Sequence, residues 1–178
     1  MSTSETLALR LEELRDTELW ELATLVPEPD PNRSIWVTRD ILDIVDPVQD
    51  ENRAANWTDY THAQFRGSLD AFINWEEVSV SEDPFDKDRE TFLARVSPVE
   101  WEFWDIRTIK PPPGMRCLGG FAGCDVFVAL VYDYRENVGP GEFDELVDRC
   151  RTRWRELFGE LAPYSGESLD AYLTRYIV

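Results

Sequence analysis

The sequence predicts an α+β protein: a small antiparallel sheet over about 101–135, packed by a C-terminal amphipathic helix over about 141–158 and by N-terminal helices. Three observations carry this. Residues 101–134 hold extended segments separated by tight turns, the spacing of an antiparallel meander. Phe143, Leu146, Val147, Cys150, Trp154, Leu157 and Phe158 then repeat at i, i+3 and i+4. Ahead of the meander, apolar residues at helical spacing are interrupted by proline breaks. The expected organisation is an acidic helical region, 1–56, followed by an α+β core, 57–178, in one compact unit.

From the start, Leu7, Leu11, Leu14 and Leu22 keep a helical period within 4–26, and Asp16-Thr17 caps a second short helix carrying Leu19, Trp20 and Ala23. Pro27, Pro29 and Pro31 end it, since each ring also restricts the residue before it. Ser34–Thr38 reads as a short strand, and Thr38 or Asp40 starts a helix with Ile41, Leu42 and Val45 that Pro47 closes. A polar loop covers 49–58. Phe65, Leu69, Phe72 and Ile73 then mark a helix over about 59–75, and Val78–Val80 alternates briefly.

In the second half, 92–96 is a strand, and 101–109 alternates, with Trp104, Ile106 and Thr108 on one side and Phe103, Asp105 and Arg107 on the other. Lys110–Gly114 turns the chain into a strand over 115–121. Ala122-Gly123-Cys124 turns it again into 125–134, whose run Val126–Val131 is apolar on both faces and should be the most buried strand. Acids open the final long helix and arginines close it, as its dipole favours. Ser168 starts a last short helix with Leu169, Tyr172 and Leu173.

Charge narrows the function. The 178 residues carry 18 basic and 36 acidic side chains, a net of −18. Residues 1–88 hold 7 basic and 21 acidic residues, a net of −14. Direct nucleic-acid binding runs on cations neutralising phosphates, and docking on anionic membranes needs the same charge, so neither fits. No basic stretch followed by an apolar run opens the chain, and no apolar stretch nears the ~20 residues of a membrane span. The expected location is cytoplasmic.

Catalytic motifs are missing. His62 is the one histidine, no GxSxG, HExxH, Walker or GxGxxG pattern occurs, and Cys117, Cys124 and Cys150 lack metal-ligand spacing. No cofactor and no metal is expected. The densest acidic stretch is Asp40, Asp43, Asp46, Asp50 and Glu51, with no cation between Arg39 and Arg53. It reads either as a solvated face or as a surface for a basic protein partner.

Trp104-Asp-Ile-Arg107, Gly114-Met-Arg116-Cys-Leu118 and Asp125-Val-Phe-Val-Ala-Leu130 before a terminal helix resemble the core of RelE/ParE/HigB-type toxins over roughly residues 60–160. The resemblance implies an antiparallel sheet with a closing helix. It also implies RNA or antitoxin contacts by Arg107 and Arg116, with Tyr132, Tyr134 or Arg135 as the substitute for the family's cleaving His or Tyr. The residues themselves lead to a non-enzymatic acidic interaction protein, an inhibitor or nucleic-acid mimic binding a basic bacterial or phage partner. The alternative is a toxin-type RNase, or its inactive relative, using Arg107, Arg116 and Arg135.

Overall fold

The computed structural model describes residues 2–25, 33–46, 60–85, 90–110 and 112–178. In chain order these form α1 (Thr3–Leu14), β1 (Trp20–Glu21), β2 (Ser34–Val37), α2 (Arg39–Val45), α3 (Tyr60–Ile73), β3 (Val78–Ser81) and β4 (Leu93–Arg95). There follow β5 (Phe103–Thr108), β6 (Met115–Gly123), β7 (Val126–Tyr134), α4 (Pro140–Phe158), α5 (Leu169–Tyr172) and β8 (Tyr176–Ile177).

The α+β class holds, but the sheet is neither small nor purely antiparallel. Its eight strands run in the order β1-β2-β7-β6-β5-β4-β3-β8. The expected meander β5-β6-β7 is its antiparallel centre. Around it, β2 joins β7 in parallel, and β3 joins both β4 and β8 in parallel. Two strands from the N-terminal region thus extend the sheet formed by the second half.

Strand alternation sorts the side chains onto two covered faces. Trp104, Ile106, Met115, Cys117, Phe121 and Phe127 meet α2, α3 and α5. Phe103, Leu118, Val128 and Leu130 meet α1 and α4. α4 follows its sequence pattern closely, burying Leu146, Val147, Cys150, Trp154, Leu157 and Phe158. Covering an apolar side chain of this size contributes about 1.5–3 kcal/mol before entropy is counted. α1 starts with a reciprocal cap: the Glu5 amide donates to Ser2 Oγ at 3.3 Å, and the Ser2 amide donates to the Glu5 carboxylate at 2.6 Å.

Two further expectations need correction. The stretch with Leu19 and Trp20 is not a second helix: Asp16 turns left-handed at φ 58°, and the chain continues into β1. The amides of Thr17, Glu18 and Leu19 all converge on the Leu14 carbonyl, which closes α1 and reverses the chain. Nor is β7 the most buried strand. Every residue of β5 is buried, and in β6 all but Arg116, whereas β7 is half-exposed from Val131 onward. β2 pairs with β7 only as far as Ala129, so the far half of β7 outruns it.

Close packing shows at Gly119, where a Cβ would lie 1.9 Å from the Val128 carbonyl oxygen on the neighbouring strand. The opposing atom is backbone and cannot swing aside. Gly119→Ala should therefore cost about 2 kcal/mol or more. A urea midpoint within error of wild type would show that the strands can separate without penalty.

An acid-walled trench as candidate functional site

α2 and α4 flank the half of β7 that β2 leaves behind, and a trench runs between them. One part, ≈590 Å3, is lined by Thr38, Asp40, Leu130, Val131, Glu145, Asp148 and Thr152, with Arg39, Arg149, Arg153 and Glu156. A second, ≈440 Å3, adds Asp43, Tyr132, Asp133 and Tyr134, and shares Asp40 and Arg149 with the first. Local chemistry fixes both walls. Thr38 directs its hydroxyl to the Leu130 carbonyl at 3.1 Å, pinning the start of α2 to β7. α4 turns its apolar stripe onto the sheet, which leaves Glu145 and Asp148 outward.

The basic residues of the trench are engaged within the molecule. Arg39 stacks over the Trp20 ring at 4.2 Å. Arg149 lies 3.9 Å from Asp133, and Arg153 bridges Glu18 at 2.9 Å and Glu156 at 3.0 Å. Asp40, Glu145 and Asp148 are exposed and have no ion-pair partner among the described residues.

The same habit recurs across the molecule. Arg15 stacks on Trp36, Arg151 on Trp101 and Arg175 on Trp75. Arg33 is buried against Asp125, and Arg66 donates to the Ala23 carbonyl while burial pulls its pKa below the usual guanidinium value. Stacking and pairing thus hold these guanidiniums on fixed partners, with Arg33 and Arg66 buried and Arg39 and Arg175 left exposed.

Of the acidic stretch, Asp40 stands exposed on α2 and Asp43 is half-buried one turn on. Asp46 is not on the helical stripe, because α2 ends at Val45 and Asp46 is its cap, half-buried and within electrostatic reach of Arg66. Asp50 and Glu51 lie outside the described residues. Sequence reasoning missed both Glu145, read as a partner of the helix dipole, and Asp148, which it left without a role. Their outward position relative to the Leu146, Val147 and Cys150 stripe was the available signal.

The three arginines of the alternative reading do not form one concavity. Arg107 and Arg116 sit opposite each other on β5 and β6 and turn onto the buried Asp105, at 3.9 and 2.7 Å. Arg135 lies past the end of β7 against the β5–β6 turn, donating its amide to the Gly114 carbonyl. His62 is half-buried, with Nε2 2.6 Å from the Tyr134 hydroxyl.

Cysteine chemistry is suppressed. Burial pushes the Cys117 and Cys150 thiols well up, and burial with the neighbouring Asp125 carboxylate raises that of Cys124. Nucleophilic thiols need the opposite shift. Among the described residues, no group of His, Cys, Asp and Glu is arranged to hold a metal ion, and no helix is long and apolar enough to cross a membrane. No family model, curated protein or solved structure matches this chain.

Proposed function

We propose that this chain is a non-enzymatic interaction protein that binds a basic protein partner through the trench between α2 and α4, acting as an inhibitor or nucleic-acid mimic. The observation behind it is the contrast in the trench: its arginines are stacked or ion-paired, while Asp40, Glu145 and Asp148 on facing walls keep their charge for solvent or a partner. Carboxylates on two rigid helices present negative charge at fixed spacing, as a phosphate backbone does. Steering by such a surface speeds association and makes it sensitive to salt. The toxin-like alternative is the less supported reading, because Arg107 is buried against Asp105 and Arg135 sits at the β5–β6 turn.

Capture from host lysate at low and high salt tests the reading. Wild-type protein should retain basic partners that salt releases. The triple variant Asp40→Lys, Glu145→Lys, Asp148→Lys, all at exposed positions, should bind the recovered partner more than about tenfold more weakly. Acidic partners, or binding indifferent to both salt and charge reversal, would mean that the acid only keeps the protein in solution.

A further inference from the structure

A further concavity lies at the N-terminal end of α4. The first turn of α4 faces the loops after β3 and β4 across a cleft of ≈670 Å3. That volume lies in the range of small-molecule sites. Its walls are apolar, formed by Pro84, Phe85, Pro98, Val138 and Phe143. Phe85 is 86% exposed, more than any other described aromatic side chain. An exposed phenyl ring beside two prolines offers apolar surface to a ligand.

The cleft also holds a cation. Arg116 donates Nη1 to Asp105 at 2.7 Å and stacks over the Phe143 ring at 4.5 Å. That hydrogen bond uses a single one of the guanidinium donors. None of its other nitrogens is buried without a partner, and the partly exposed side chain lines the cleft. Asp105, fully buried behind it, fixes the fork in place. A planar fork with free donors matches a carboxylate better than it matches any neutral group. Asp144 at the exposed rim disfavours more highly charged anions.

We propose that this cleft binds a small monocarboxylic acid with an apolar body, its carboxylate on Arg116 and its body against Phe85, Pro98, Val138 and Phe143. The molecule's net charge of −18 repels anions in general, so uptake of an acid reports this local site rather than loose adsorption.

The probe is 4-phenylbutyrate, with neutral 4-phenylbutyramide as the matched control, titrated into the full chain and followed by calorimetry and amide chemical shifts. The acid should bind saturably, and the amide about tenfold more weakly or worse, because it cannot make the charge-assisted pair. Phe85→Ser, at an exposed position that leaves packing intact, should weaken the acid by about fivefold or more. Arg116→Lys retains a cation for Asp105 but removes the fork, and should narrow the gap between acid and amide; its melting temperature confirms the fold. Equal binding of acid and amide, no binding of either up to about 10 mM, or a Phe85→Ser variant identical to wild type would overturn the proposal.

Discussion

Arg33→Met should lower the unfolding free energy by about 3–5 kcal/mol, the range for leaving one partner of a buried ion pair uncompensated. The Arg33 side chain is wholly buried, and it joins four parts of the chain that are far apart in sequence. Its Nε donates to Asp125 at 3.2 Å in the β6–β7 turn, and its Nη1 to the Glu76 carbonyl at 2.9 Å beyond α3. Its Nη2 donates to the Arg175 carbonyl beside β8, and the guanidinium lies 4.9 Å over the Phe72 ring. Methionine would fill much of the volume but none of these acceptors. Asp125 would keep Thr174 as a donor, at 2.7 Å from the hydroxyl and 3.1 Å from the amide, yet lose its counter-charge. Lys110→Met is the control. Lys110 pairs with Glu90 at the surface, and such pairs contribute less than about 1 kcal/mol. Urea unfolding of both variants decides the matter; a loss below about 1 kcal/mol for Arg33→Met would show that the carbonyls and Asp125 find other donors.

That clamp marks where sequence legibility stopped. Periodicity reports local structure, so α4, α3 and the β5-β6-β7 meander could be read from the spacing of apolar residues. β1 and β8 have two residues each, too few to set a period, and the four residues of β2 and of β3 show a strand without naming its neighbour. β2 pairs in parallel with β7, and β3 with β8, each nearly a hundred residues along the chain, and nothing local encodes such a partner. The buried charges were hidden for a related reason. Asp105 and Arg107 alternate with Trp104 and Ile106, which in sequence looks like a wet side facing a dry one. The register Arg107↔Arg116 brings two cations to one carboxylate, and that pairing lets the polar side be covered by α4. The acidic walls were half legible: Asp40 and Asp43 stood out as a run without cations, but Glu145 and Asp148 become part of the same trench only once α2 and α4 pack on the two faces of the sheet along β7.

Asp105→Ala should also cost about 3–5 kcal/mol, for a reason that can be separated from lost packing. The wild-type carboxylate has no exposure to solvent and serves Arg116 at 2.7 Å and Arg107 at 3.9 Å, both arginines being largely covered as well. Alanine removes few atoms, so most of the penalty comes from the Arg116 guanidinium, which loses its 2.7 Å counter-charge in a low-dielectric layer. The triple replacement Asp105→Leu, Arg107→Met, Arg116→Leu removes the charges together, and buried ion clusters replaced in this way are often no less stable than the original. It should therefore be more stable than Asp105→Ala alone, despite carrying more substitutions. If the triple variant is the less stable of the two in urea, the arginines hold the sheet through contacts other than Asp105, and the carboxylate is not the centre of the cluster. If it is the more stable, the cluster is retained at an energetic cost, which is expected where the arginine facing the cleft has a task besides holding the fold.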